Sequence, residues 1–363
     1  MDRPDHAGRR DRVRSALAAR GLDGVLITAL VNVRYLTGYT GSNGALLLGT
    51  DRGGDLFATD GRYRTQAEAE VSDCARLIAR PLAPALIGEA VRRGCRRVGY
   101  ESHTLTVDEL RDLAESAPVL ELTTIERAVE TLRRIKDGYE IDALGRACAI
   151  ADRAFAQLID AGAIAAGRSE RAIARDLDAR MLDIGADAVS FDTIVAAGES
   201  GAIPHHRPGA RPVASGEFVT LDFGATTDGY HSDMTRTVVV GKAAGWQRDL
   251  YALVVEAQRA GVDAVQPAAA VQDVDQAARG IIEAAGYGEE FGHGLGHGVG
   301  LQIHEAPMLS ATGVGTLEDR CVVTVEPGVY LPGRGGVRIE DTVVCRDDAR
   351  QLLTTTTKDL LLL

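Results

Sequence analysis

The clearest hydrophobic periodicity lies in the second half of the chain. Between residues 139 and 161, Ile141, Leu144, Cys148, Ala151, Phe155, Leu158 and Ile159 recur at the three- and four-residue steps of one helix face. Ser169 can cap a second helix running through 171–184. Another helical pair is predicted at 247–265 and 271–285. Strand-like apolar runs follow the helical pairs, at 191–197, 218–240, 322–326 and 337–344. Helix, helix, then strands thus occurs twice, which hints at an internal duplication without a convincing residue-level repeat. The first part of the chain reads differently. Short buried strands are predicted at 25–27, 45–48, 56–58, 98–100 and 120–123. They alternate with helices at 1–20 (Val13, Leu17 and Ala16 inward), 63–71 and 107–116, the pattern of an α/β domain. The polar, glycine-rich stretch 32–44 is expected to be a loop. The charged stretch 131–138 is the expected seam, giving domains 1–130 and 131–363.

Composition changes this picture little. A chain of 363 residues exceeds one ordinary core, in keeping with two domains. The net charge of −12 disfavours nucleic acid as a partner. Arg9, Arg10, Arg12 and Arg14 alternate with acids and read as a solvated helix face. Five scattered cysteines, with no Cys-x-x-Cys, indicate neither a disulfide framework nor a zinc knuckle. The polar N-terminus and the lack of any long apolar stretch point to a cytoplasmic protein with no membrane partner. The histidines are more informative. Six of the eight (His205, His206, His231, His293, His297, His304) fall between 205 and 304, so metal or acid–base chemistry is expected there.

The strongest local signal is the hairpin at 218–240. Asp228-Gly229 suits the two positive-φ positions of a type I′ turn. With that pair at the tip, Thr227 faces Tyr230 and Gly224 faces Asp233. Asp222 then shares a face with Asp233, as diagonal neighbours roughly 7–8 Å apart. That spacing leaves room for two cations about 3.5–4 Å apart; a polar outer face is the alternative. Glycines alternate along 291–300, so an extended chain would put His293 and His297 on one face. No G-x-G-x-x-G, P-loop or H-E-x-x-H motif is present. Glu326 ends an apolar strand and needs a positive partner if buried. Glu340 lies in another strand, with Arg338 on the same face as a possible ion-pair partner. Asp222, Asp233, His297, Glu326 and Glu340 together form an oxygen-rich donor set that two divalent cations would neutralise. Such a set suits manganese, with zinc or cobalt as alternatives.

Asp222-Phe223-Gly224, Ser232-Asp233-Met234-Thr235-Arg236, His293-Gly-Leu-Gly-His297, Ile303-His304-Glu305, Glu326-Pro-Gly-Val-Tyr330 and Arg338-Ile-Glu-Asp341 occur in this order. Asn32-Val-Arg-Tyr-Leu-Thr-Gly38 and Thr40-Gly-Ser-Asn-Gly44 precede them. Over essentially its whole length the chain resembles the creatinase/aminopeptidase P/prolidase family of pita-bread metallopeptidases. The resemblance implies a creatinase-like α/β N-terminal domain followed by a pita-bread α+β catalytic domain. It implies a dinuclear centre held by Asp222, Asp233, His297, Glu326 and Glu340. Glu326 would also shuttle the proton from the attacking water to the leaving nitrogen. His205 would bind the transition state, His293 and His304 would lie in the cleft, and Arg338 would stand behind the metal-bound aspartate. Whether His206 shares the role of His205 is open. The expected activity is Xaa-Pro aminopeptidase on short proline-containing peptides, by a homodimer. Xaa-Pro dipeptidase is the alternative; a metal-free creatinase-type hydrolase or an inactive binding module is more distant.

Overall fold

The computed structural model describes residues 4–18, 20–347 and 350–363, and divides the chain into two compact units, Met1–Arg133 and Arg134–Leu363. The first unit is built on a six-stranded mixed sheet. Its spatial order is Ala75–Ile78, Leu56–Thr59, Gly44–Gly49, Gly24–Ile27, Arg97–Tyr100, Glu121–Thr124. Gly24–Ile27 runs antiparallel to Gly44–Gly49 and parallel to Arg97–Tyr100. Leu86 and Ile87 of helix Leu82–Arg92, and Leu113 of helix Val107–Ser116, close one core with Leu26, Leu47 and Ala58. The α/β reading of this unit holds.

Three expectations for this unit do not. The stretch expected as a loop holds a helix, Leu30–Thr37, ending at Gly38. Val33 and Leu36 lie one turn apart and are fully buried, so tertiary packing overrides the polar composition. Arg9 and Arg10 are buried rather than solvated. Arg10 is neutralised by Asp55 at 2.8 Å and Asp73 at 2.6 Å, and Arg9 stacks on the Tyr35 ring. Val13 is buried as expected but Ala16 is exposed; the side chain of Leu17 lies outside the described residues.

The second unit contains two helix pairs, each lying on its own strands. Helix Gly138–Asp160 begins at a capping box, Asp137 with Glu140, and packs beside Glu170–Ile184. Ala151, Phe155 and Leu177 of this pair share a core with Val195, Leu221 and Met234 of the sheet Ile194–Ala197, Phe218–Phe223, Met234–Val239. Helices Gly245–Ala264 and Val271–Ala284 form the other pair. Val254 and Ala278 meet Val323, Val325 and Val343 beneath them. The expected continuous strand at 337–344 is two strands that change partners. Gly335–Arg338 pairs with Gly328–Leu331, whereas Asp341–Val344 pairs with Val322–Val325. Glu340 therefore sits at the crossing. Its amide donates to Thr235 O at 3.1 Å, and Thr342 Oγ1 donates to Asp233 O at 2.9 Å, stitching the two strand systems together. The expected strand at 191–197 is shorter, Ile194–Ala197, preceded by a separate pair of residues at Ala188–Val189. Among the described residues no helix is long and apolar enough to cross a membrane.

Candidate metal centre and active site

The central hairpin folds in the expected register. Asp228 and Gly229 have φ of 51° and 77°, the positive values of the type I′ turn. Thr227 faces Tyr230, and further down Asp222 faces Thr235. Asp222 and Asp233 are therefore diagonal neighbours on one face. Glu340 joins them from the strand crossing, and ligand oxygens of all three lie within 4.8 Å of one another.

His297 and Glu326 complete the cluster from the adjoining sheet. His297 Nε2 is 3.6 Å from Asp233 Oδ2 and 3.4 Å from Glu326 Oε1. The strand Gly296–Gly298 can approach this closely because Gly296 has no side chain; a Cβ there would lie 2.0 Å from Thr324 O. Thr324 Oγ1 accepts from His297 N at 3.0 Å and donates to Glu326 Oε1 at 3.2 Å, fixing both donors.

These groups are poorly satisfied by the protein itself. Burial raises the carboxyls of Asp233 and Glu340 well above the usual range, reinforced by the neighbouring carboxylates, and pushes Glu326 up to about 8. Burial holds His297 down at about 4, so its ring is neutral. Its Nδ1 faces Gly298 O at 3.0 Å and must carry the hydrogen, because a carbonyl only accepts. Nε2 then turns a lone pair toward two carboxyl groups. Asp222 Oδ1 and Glu340 Oε1 are buried with no hydrogen-bond partner among the described residues. Orphaned acceptors and an imidazole lone pair facing one another are costly unless cations lie between them. The donor set therefore fits a divalent metal centre.

A cavity of about 660 Å³ opens over this cluster and is lined by all the expected cleft residues, His205, His293, His304, Glu326 and Arg338. Arg338 does not pair directly with Glu340, the partner suggested by strand parity. Its guanidinium donates to Asp222 Oδ2 at 2.7 Å, Tyr330 Oη at 2.8 Å, Thr235 Oγ1 at 3.1 Å and Pro204 O at 3.3 Å. Thr235 Oγ1 passes a hydrogen bond on to Glu340 at 2.7 Å. The histidines differ in what they can offer. His293 uses both ring nitrogens, with Gly294 O at 2.8 Å and Tyr330 Oη at 2.8 Å, and burial lowers it to about 4. His205 and His304 make no ring hydrogen bond among the described residues, and His304 stands edge-on to His297 with centroids 4.4 Å apart.

Sequence reasoning missed several contributors. Thr235 and Thr324 look like ordinary strand residues. Tyr330 was visible only as part of a motif. Glu170, a helix-start acid, and Arg207, in the wall of the cavity, carried no local pattern at all.

Fold and site together define a metallopeptidase: the chain belongs to metallopeptidase family M24, whose model matches residues 142–347, preceded by a creatinase/prolidase N-terminal domain at 9–135. Among its relatives is the uncharacterized peptidase YqhT of Bacillus subtilis, 38% identical over 97% of this chain and 99% of that one. The structure of the Xaa-Pro dipeptidase from Bacillus anthracis superposes with a TM-score of 0.94 at 37% identity, covering 99% of this chain and 100% of that chain. The X-Pro aminopeptidase from Thermotoga maritima MSB8 gives 0.88 at 32% identity, covering 94% and 98%.

Proposed function

We propose that this protein hydrolyses the bond between an N-terminal residue and proline, with Xaa-Pro dipeptides as its preferred substrates. The observation that carries the hydrolase reading is the convergence of Asp222, Asp233, Glu340, Glu326 and His297 on one buried point beside an open cavity. These five residues would hold two divalent cations, manganese by the hardness of the donors. When bound, such cations make water nucleophilic near neutral pH and polarise the scissile carbonyl.

The chain's own groups supply the rest. Glu326 faces the cavity and can accept a proton from the attacking water and deliver it to the proline nitrogen. His205 and His304 have ring nitrogens available to donate to the oxyanion, worth a few kcal/mol each in comparable sites. His293 buttresses Tyr330 and Arg338 instead, since neither of its nitrogens is available to substrate.

Arg207 supports the preference for dipeptides over the aminopeptidase activity expected from sequence. Two guanidinium groups line the cavity, and Arg338 is committed to Asp222, Tyr330, Thr235 and Pro204. Arg207 is exposed and makes no hydrogen bond or ion pair among the described residues, so it is the cation available to a free C-terminal carboxylate. The similarity to the Bacillus anthracis dipeptidase supports the same reading; the likeness to the Thermotoga aminopeptidase keeps longer peptides as the second. Assaying Ala-Pro against Ala-Pro-Ala-Ala with Mn²⁺ separates them. A kcat/KM for the tetrapeptide equal to or above that for Ala-Pro would reject the dipeptidase.

A further inference from the structure

We propose that Glu170 is a positioning residue for this reaction: through His206 and the Gly209 amide it clamps the loop that presents His205 to the cavity. The proposal rests on the peptidase reading above. It also gives His206 a role distinct from that of its neighbour.

Glu170 is the first residue of helix Glu170–Ile184, after the cap Ser169, and is only 1% exposed. Its side chain turns away from the helix and reaches three separate places. Oε1 accepts from Ala197 N at 3.0 Å, at the end of the strand Ile194–Ala197. Oε2 accepts from His206 Nε2 at 2.8 Å and from Gly209 N at 3.0 Å. A carboxylate that also accepts two amides takes its third bond as an acceptor, so His206 Nε2 carries the hydrogen. That nitrogen is therefore not available to substrate.

His205 lies between two restraints. On one side, Pro204 O accepts from Arg338 at 3.3 Å. On the other, His206 is held by Glu170. Beyond it, Arg171 N donates to Gly209 O at 3.0 Å and Glu170 N donates to Arg211 O at 3.1 Å, so the backbone continues the same attachment. The His205 ring itself has no hydrogen bond among the described residues. Its position over the cavity is set by these neighbours and not by a partner of its own. A displacement of about 1 Å in such a group can cost about a hundredfold in rate.

The test uses the full-length protein loaded with Mn²⁺ and Ala-Pro as substrate. Glu170→Ala and His206→Ala are expected to lower kcat about 10- to 100-fold with KM nearly unchanged. His206→Gln, whose amide can still donate to Glu170, should recover much of the loss, whereas His206→Phe should not. Combined with His205→Ala, Glu170→Ala should add less than about a twofold further loss, because both act through one ring. Hydrogen exchange at the amides of 203–209 should quicken in Glu170→Ala while the helix 245–264 is unchanged. Should Glu170→Ala not fold, Glu170→Gln and the His206 series carry the same comparison. Losses that multiply in the His205→Ala background, or equal activity of His206→Gln and His206→Phe, would overturn the proposal. If the wild type cleaves no Xaa-Pro peptide, the peptidase reading fails and takes the catalytic half of the proposal with it. Unchanged exchange at 203–209 then rejects the clamp separately.

Discussion

The Arg338 guanidinium lies 2.7 Å from the Asp222 carboxylate, and both side chains are nearly withdrawn from water. Burial opposes the charge on Arg338, yet the phenol of Tyr330 and the carboxylates of Asp222 and Glu326 more than compensate and hold it firmly cationic. One cation thus orients Asp222, Tyr330, Thr235 and the carbonyl before His205. A lysine offers a point charge and cannot reproduce that fork. Arg338→Lys is expected to lower kcat/KM for Ala-Pro about a hundredfold and to weaken Mn²⁺ retention. Kinetics with metal analysis after dialysis checks both. Removing the charge, as in Arg338→Met, should destabilise the fold by about 3–5 kcal/mol, read from denaturant unfolding.

The proposed reaction has Glu326 serve both as ligand and as proton carrier. Glu326→Gln preserves shape and one ligating oxygen but cannot carry the proton. The variant should fold with wild-type circular dichroism and lose about 10²–10⁴ in kcat. Retention of more than about a tenth of wild-type kcat would remove Glu326 from the proton-transfer role.

The metal-free protein should be sensitive to pH in a definite direction. Burial with neighbouring charge raises Asp233 and Glu340 in the folded state, and burial pushes Glu326 up to about 8. An acid raised on folding contributes stability that is fully present below its unfolded value, about 4, and is lost as pH climbs through the folded value. Burial acts in the opposite sense on His293 and His297, held at about 4, until their unfolded value of about 6.5 is passed, so the melting temperature of metal-free protein should fall between about pH 7 and pH 8. Saturating Mn²⁺ should flatten that slope, and its binding near pH 7 should release protons. Calorimetry in two buffers of different ionisation enthalpy measures the release. A metal-free melting temperature that rises over this interval would contradict the assignment of a proton-holding cluster.

Arg207 makes a sharper prediction about substrate. Losing one charge-assisted bond to a carboxylate costs about 1.5–3 kcal/mol. Arg207→Ala should therefore raise KM for Ala-Pro at least about tenfold. KM for Ala-Pro amide, which lacks the carboxylate, should change less than about twofold. Equal effects on both substrates would show that Arg207 does not read the C-terminus.

Much of this molecule was legible in the linear chain because its key information is local. Asp228-Gly229 dictates a turn, and a turn dictates register, so the diagonal placement of Asp222 and Asp233 followed from strand geometry alone. The long helix Gly138–Asp160 announced itself by apolar spacing and the next by its Ser169 cap, and the buried acids Glu326 and Glu340 by their apolar neighbours. Other features depended on where distant segments meet. Arg9 and Arg10 looked like surface charge until Asp55, Asp73 and Tyr35 enclosed them. The polar run at 32–44 hid a helix because only packing rewards Val33 and Leu36. Arg338 and Glu340 share a strand in the sequence pattern, but the chain changes sheets between them and Arg338 turns to Asp222 instead. The sequence by itself determined which residues could bind metal and the hairpin that holds two of them, since both follow from chemistry and short-range geometry. Only the tertiary structure decided which histidines keep a free nitrogen, which arginine is unspent, and that Glu170 holds the loop of His205. Those are properties of hydrogen-bond partners far apart along the chain, and only the folded packing selects them.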